Sequence, residues 1–395
     1  MRNLIWLSCL SYMVIGMAHV VAGAVLEPMM ASYGLSYGDG GQFIMNQFLG
    51  FLGGVLITPW LTRRVGKRRG LLLALGMLTG IQALYSLLLP WAWMLAIAPI
   101  AGFGFGMTET IIGAVIIDAV QDKKASAMTR IEAFFGLGAL AMPALAALLI
   151  KQGLWQWSFP IVMVLALLTV LLWARLPMGQ AESLLSHKRE ELQQAATQQP
   201  GYSRAMLPFL LMGVAYFLFY VGMEMGFSNY LPSIMINQTG MDQSSAAMTM
   251  SLFWGLMVVG RLFAGRLADG IGHGRYLIIS TAAGTMMFVF LLFSASVTWS
   301  LLFIALSGLI WSGVFAIGLV YINGQLPGMT ERTTSLLVAC GGLGGALFPR
   351  FSGSLMDNSG APATLSMYVG MAVLMFLLMA GMLVVARRRN GMKAV

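Results

Sequence analysis

Charge is scarce in this 395-residue chain: Asp, Glu, Lys and Arg together make up 9% of it, against about 25% in soluble domains. With hydrophobic residues at 58%, that shortage excludes a soluble globular protein and leaves one that crosses a membrane many times. Cysteine is nearly absent. Cys9 and Cys340 both fall in long apolar runs, so no disulfide framework is expected. Histidine is as rare: His19, His187 and His273 are scattered with no Cys/His cluster, and neither a metal site nor a cofactor is expected. No nucleophile–base–orienter set and no phosphate loop can be assembled, so no enzyme is expected.

What the chain does have is apolar length. With about 20 residues as the measure of one bilayer crossing, twelve segments emerge, near 4–27, 41–62, 70–89, 92–118, 127–150, 157–175, 205–230, 245–268, 276–295, 298–322, 333–356 and 363–386. Pro90, Pro177, Pro208, Pro327 and Pro362 fall at or near segment ends, where a missing backbone donor matters least. The first apolar run, Leu4 to Leu26, is too long for a signal-peptide core and lacks a small-residue cleavage site, so it reads as the first span. One long polar stretch, Met178 to Ser203, separates six spans from six. The expected organisation is an N-terminal six-helix bundle over 1–176, a linker over 177–203 and a C-terminal bundle over 204–395 with a short tail.

Loop charge sets the expected orientation. Arg63, Arg64, Lys67, Arg68 and Arg69 lie between spans 2 and 3, and Lys123 and Lys124 between 4 and 5. Lys188, Arg189 and Arg204 follow in the linker, Arg266 and Arg275 between 8 and 9, and Arg387, Arg388, Arg389 and Lys393 in the tail. The other side offers Lys151 against Asp39 and Asp242. The positive-inside rule makes both termini and the linker cytoplasmic. The net charge of +9 is therefore topology, with attraction to anionic lipid. Nucleic acid is excluded as a partner, because these loops carry no aromatic stacking platforms.

The two halves resemble each other. Gly136 to Pro143 (GLGALAMP) returns as Gly342 to Pro349 (GLGGALFP), an offset of 342 − 136 = 206. Gly66 and Gly272, and Gly16 and Gly222, share that offset. Both halves begin and end on the same side, which makes them parallel repeats about an axis along the membrane normal. In the first half, the run Gly102-Phe-Gly-Phe-Gly-Met-Thr-Glu109 puts one carboxylate near mid-bilayer among glycines. An acid kept there at such cost is a functional-site candidate.

Two stretches carry a family resemblance. Gly265-Arg-Leu-Ala-Asp269-Gly-Ile-Gly272-His-Gly-Arg275 resembles the Gly-x-x-x-Asp-x-x-Gly-x-x-Arg loop of the major facilitator superfamily. That resemblance implies a charge latch at the cytoplasmic helix ends, with Asp269, Arg261 and Arg266 as gating candidates. In the loop between spans 2 and 3, Pro59 and Arg63 stand where the motif has Gly and Asp. Gly106-Met-Thr-Glu109-Thr, Glu132-Ala-Phe-Phe-Gly-Leu-Gly-Ala139, Phe227-Ser-Asn229-Tyr-Leu-Pro232 and Ser251-Leu-Phe-Trp254 resemble the fucose/galactose/glucose:proton symporter family. Within that family the likeness is to bacterial glucose/mannose:proton symporters. The resemblance implies that the Glu109 carboxylate takes part in proton-coupled sugar transport. A second acid of that family falls near Ala24 and is absent here; His19 is the candidate to replace it.

The fold class expected is an all-α integral membrane protein of twelve transmembrane helices in two six-helix bundles, the major facilitator fold. Proton-coupling candidates are Glu109, Glu224 and His19. A pyranose has polar edges and C–H faces, so amides, acids and indoles on interior spans are its candidate partners. These are Asn46, Gln47, Glu132, Asn229, Trp254, Trp311 and Asn323. The reading is alternating-access, proton-coupled uptake of a hexose-type sugar by a monomer in a bacterial inner membrane. Its rival is a proton/drug antiporter on the same fold. A cavity lined by amides favours sugar; one lined by Phe, Met and acids favours drug.

Overall fold

The computed structural model describes residues 2–119, 124–177, 182–185, 202, 204, 206–326 and 329–392. Among the described residues, twelve long helices appear where the apolar segments predict spans. In the first half these are α1 (Arg2–Ala24), α2 (Tyr37–Val65), α3 (Lys67–Ser86), α4 (Trp91–Ala119), α5 (Lys124–Lys151) and α6 (Ser158–Arg175). The second half holds α7 (Leu207–Thr239), α8 (Gln243–Ile271), α9 (His273–Phe293) and α10 (Val297–Gln325, with a turn at 312–313). It ends with α11 (330–359) and α12 (361–392), which run on from one another except at Gly360 (φ 74). A short helix, Leu26–Tyr33, joins α1 to α2. The linker other than 177, 182–185 and 202, with Lys188 and Arg189, falls outside the described residues, as do Lys123 and Lys393.

Local chemistry sets the helix ends. Gly66 (φ 85) and Gly272 (φ 92) occupy left-handed backbone between α2 and α3 and between α8 and α9, a conformation that β-carbons disfavour. Asp242 caps α8 by accepting from the Ser245 amide at 3.0 Å. The hydrogen bonds from Ser245, side chain and then backbone, hold this carboxyl below its ordinary range. A carboxyl lowered in the folded state stabilises above the unfolded range near 4, and that contribution is lost as pH falls through the lowered value. Asp242→Ala should therefore melt slightly below wild type at neutral pH, with the gap closing in acid; thermal scans at two pH values check this.

Pro90, Pro177, Pro208 and Pro362 stand at helix ends as expected, and Pro327 lies outside the described residues. Pro59, Pro99, Pro143, Pro232 and Pro349 lie inside helices. In a membrane bundle, neighbouring helices and side chains re-satisfy the freed carbonyls. The segment expected to end at 230 consequently runs through Pro232 to Thr239.

Glycine lets the helices of each half touch backbone to backbone. A β-carbon on Gly50 would lie 1.9 Å from the Pro99 carbonyl oxygen, and one on Gly102 would lie 1.7 Å from that of Gln47. These contacts recur in the second half, where a β-carbon on Gly308 would sit 2.2 Å from the Phe253 carbonyl oxygen. The pairs 102/308 and 47/253 keep the offset of 206 (308 − 102; 253 − 47). Helix α7 does not. Gly138 of α5 meets the Met13 carbonyl and the Met17 amide, while Gly344 of α11 meets the Leu218 carbonyl and the Gly222 amide. The α5/α11 offset is 344 − 138 = 206, but the α1/α7 offset is 218 − 13 = 205. Gly16 and Gly222 are thus not equivalent in packing, which corrects that one pair of the sequence repeat. A β-carbon on Gly16 would meet the Phe135 backbone, and one on Gly222 the Phe348 ring.

Arg68, in the first turn of α3, closes the end of α6. Its guanidinium donates to the carbonyls of Trp173, Ala174 and Leu176 and pairs with Glu182 at 2.8 Å. Charge at a helix C-terminus and a planar fork both suit this role. Arg68→Ala should cost about 2 kcal/mol, the worth of hydrogen bonds to a charged group. Arg68→Lys should restore little of it, read as the melting temperature in detergent.

The halves meet along α2–α11 and α5–α8, with α1 against α7. On the face opposite the termini, Ser244 and Ser251 of α8 donate to the Ala147 and Leu140 carbonyls of α5, each at 2.8 Å. A β-carbon on Gly23 would lie 2.4 Å from Asn229 Oδ1. Cross-half contact is therefore dense on that far face.

Candidate functional site

A cavity lies between the halves. Its enclosed volume is about 90 Å³, below the roughly 300–1,000 Å³ of typical small-molecule pockets, so the halves must part further to admit a sugar-sized ligand. Tyr12 and His19 come from α1, Phe48 and Phe51 from α2, Glu109 from α4, and Glu132 and Phe135 from α5. Val221, Glu224 and Met225 of α7, Trp254 and Arg261 of α8, Phe315 of α10, and Val338 and Gly342 of α11 complete it. Helices α3, α6, α9 and α12 supply no side chain to this lining. Their apolar faces serve packing and lipid contact.

The repeat organises the lining. Phe48 and Trp254 are equivalent (254 − 48 = 206), as are Glu109 and Phe315 and Glu132 and Val338 (315 − 109 and 338 − 132). With the α7 offset of 205, His19 is equivalent to Glu224 (224 − 19 = 205). Ala24, where the resembling family has its second acid, is matched by Asn229 (229 − 24 = 205). Two acids thus face neutral counterparts, and the carboxylates are distributed unevenly between otherwise similar cages.

Glu109 is half-buried, and among the described residues no hydrogen bond or ion pair holds its carboxylate. Its backbone carbonyl accepts from Tyr12 Oη at 3.4 Å. Glu224 is buried, and its Oε1 accepts from Tyr220 Oη at 2.8 Å. Arg261 reaches across to the first half, donating to the Glu132 carbonyl oxygen at 3.2 Å with Glu132 Oε2 at 3.9 Å. An arginine keeps its charge under all these conditions, so the cavity holds one permanent cation beside three carboxyls. This makes Arg261 part of the cavity as well as a link between halves.

His19 is boxed by rings. Phe48, Phe51, Phe105 and Phe135 lie with centroids 4.6–5.9 Å from its own. The Ile15 carbonyl lies 2.8 Å from Nδ1, which requires the proton there and leaves Nε2 an acceptor in the neutral ring. Trp254 is fully buried against Phe135, ring centroids 5.9 Å apart, and its indole N–H has no partner among the described residues.

Five sequence candidates do not line the cavity. Asn46 ties α2 to α4 by donating to the Leu95 carbonyl at 3.1 Å. Asn323 ties α10 to α11 through Thr334 Oγ1 at 2.8 Å. Asn229 spends its amide on the Met225 carbonyl of its own helix at 2.9 Å. Trp311 packs where Gly284 leaves room and its carbonyl accepts from Tyr220. Gln47 is buried, with Nε2 unpartnered among the described residues. Of the gating candidates Arg261 reaches the first half, whereas Asp269 and Arg266 pair with no first-half residue among the described residues. Asp269 Oδ1 lies 3.3 Å from His273 Nε2 on the same face of the chain, and Arg266 is exposed. Arg350 and Asp357 of α11 both engage α2.

Sequence reasoning missed Tyr12, Phe48, Phe51, Phe135 and Phe315. A signal existed for two of them: adding or subtracting 206 from the candidates Trp254 and Glu109 yields Phe48 and Phe315.

Eight helices from two repeats around one central cavity define a secondary-transporter fold. The sequence profile of the Major Facilitator Superfamily matches residues 8–349 and, separately, 212–394, and the chain belongs to that family. It is 26% identical over 375 residues to a glucose/mannose transporter of Bacillus subtilis, covering 92% of this chain and 90% of that one. It is 23% identical over 422 residues to the sodium-dependent glucose transporter 1A of Mus musculus, covering 98% of each. The crystal structure of a D-xylose–proton symporter superposes with a TM-score of 0.78 at 14% identity, over 96% of this chain and 97% of that one.

Proposed function

We propose that this protein takes up a hexose-type sugar together with protons by alternating access, across a bacterial inner membrane with both termini in the cytoplasm. The observation that carries the reading is Glu109: a carboxyl without a partner among the described residues, in a cavity between two halves that also holds Trp254 and Arg261. A carboxyl in such surroundings moves through the membrane most cheaply when neutral, which makes a proton its natural fellow passenger. Phe135, backed by the buried Trp254, offers an apolar face to pyranose C–H groups. Glu132, Glu224, Arg261 and the Tyr12 hydroxyl offer charged or polar partners for hydroxyls. Relatives described as glucose/mannose and glucose transporters support the substrate class.

One observation favours the rival. None of the amides Asn46, Gln47, Asn229 or Asn323 lines the cavity, while four phenylalanines, a methionine and three acids do. That lining suits proton-driven export of an organic cation. Arg261 within the same space opposes it by repulsion. Uptake of labelled glucose, mannose, galactose and fucose into proteoliposomes, under an inward proton gradient, an inward sodium gradient or neither, tests the reading. Proton-driven accumulation of a hexose is the expected result. Absence of hexose uptake, with gradient-driven movement of a lipophilic cation such as ethidium, would replace it with the antiporter.

A further inference from the structure

The first amides of a helix need partners, and those of α2 find theirs in two places. Its own half supplies a capping box: Ser36 Oγ accepts from the Asp39 amide at 3.2 Å and Asp39 Oδ2 from the Ser36 amide at 3.1 Å. The next two donors are taken by the other half. Asp357 of α11 accepts from the Tyr37 amide at 2.8 Å through Oδ1 and from the Gly38 amide at 2.7 Å through Oδ2. Arg350, seven residues earlier on α11, donates to the Gly38 carbonyl. Tyr230 of α7 donates to the Tyr37 carbonyl at 2.6 Å.

Small residues bring these groups together. A β-carbon on Gly353 would lie 2.3 Å from the Tyr37 carbonyl oxygen, and one on Gly41 would lie 2.5 Å from that of Pro349. Every polar contact in this seal is to α2 backbone. It therefore reads the position of the helix end and nothing about its side chains, and it breaks as a unit when the halves part on this face.

We infer that Asp357 is a working residue of the transport cycle: a carboxylate supplied by one half as the cap of the other half's α2, holding the far face shut while the cavity communicates with the terminal face. Arg350 and Tyr230 assist it by gripping the adjacent carbonyls. An anion at a helix N-terminus is worth a modest amount where water competes, and Asp357 is exposed. That suits a gate, which must hold and still open. The inference rests on alternating access, and stands apart from which substrate is carried.

The test uses spin-label distances in full-length protein in nanodiscs, with Cys9 and Cys340 replaced by alanine. One pair, Ala31→Cys with Ser359→Cys, reports the far face; a second, Arg69→Cys with Arg266→Cys, reports the terminal face. In Asp357→Ala the ratio of far-closed to far-open protein should fall about threefold or more, with the terminal-face pair closing in step. Tyr230→Phe, which keeps the charge, should shift the same way by less. An unchanged far-face ratio in both variants would overturn the gate, and so would far-face opening with no reciprocal closing, which is fraying of α2. A wild-type far-face distance that is single with and without glucose, with the variants unmoved, would overturn alternating access itself.

Discussion

Glu109→Gln should abolish gradient-driven accumulation while leaving exchange intact. Across an inward gradient of one pH unit, a one-to-one symporter concentrates its substrate about tenfold, the equivalent of about 1.4 kcal/mol. Glutamine keeps the shape of the protonated acid but has no proton to release, so the accumulation ratio should drop to about one. Counterflow of labelled against unlabelled hexose should continue, because the neutral side chain permits the halves to rock. The lack of any ion pair or hydrogen bond to this carboxylate among the described residues makes the variant informative: nothing else is broken by it. Retained accumulation in Glu109→Gln would move the coupling role to Glu224, whose carboxylate the Tyr220 hydroxyl already holds.

Gly102→Ala should be the most damaging single methyl in the protein. The added carbon would lie 1.7 Å from the Gln47 carbonyl oxygen and 2.8 Å from the Phe51 amide. Both are backbone, so no rotamer change relieves the clash, and α2 and α4 must separate along their shared length. Overpacking in a well-packed interior costs about 1–3 kcal/mol, and a backbone-to-backbone clash belongs at or above the top of that range. The expected result is loss of the monodisperse species in detergent, or a melting temperature lowered by many degrees. Gly76→Ala and Gly80→Ala are the controls, because nothing lies within 4 Å of either new carbon. Alanine is the better helix former by about 1 kcal/mol, so these should be neutral or stabilising. Equal behaviour of all three would remove close helix approach as the reason for the glycines.

The architecture was legible because bilayer thickness and the exclusion of charge leave few alternatives. Twelve runs of one length, basic loops on one side and a repeated GLG block suffice to outline two bundles. The cavity was less legible for a physical reason. In helices apolar all round, periodicity no longer marks the inner face, so polar residues were the remaining signal, and these have two uses. Glu109, Glu132 and Glu224 cannot satisfy a charge on a neighbouring carbonyl and so stand in the cavity. Asn46 and Asn323 can each donate to a nearby acceptor, and serve as ties between helices. The phenylalanines gave no signal of their own, since Phe48 in the cavity and Phe43 in the core look alike in sequence.

The single-residue shift of α7 against the rest of its repeat has a consequence for how such a chain diversifies. One residue along a helix turns a side chain by about 100°, so a slip by one step re-aims a whole helix while its glycine contacts re-form one residue along. The two copies of an ancestral duplication can thereby acquire different chemistry at matched stations, histidine in one and glutamate in the other, without either copy rebuilding its scaffold. Insertion or deletion of one residue ahead of a helix is then a route to new specificity that a comparison aligned column by column records only as a gap.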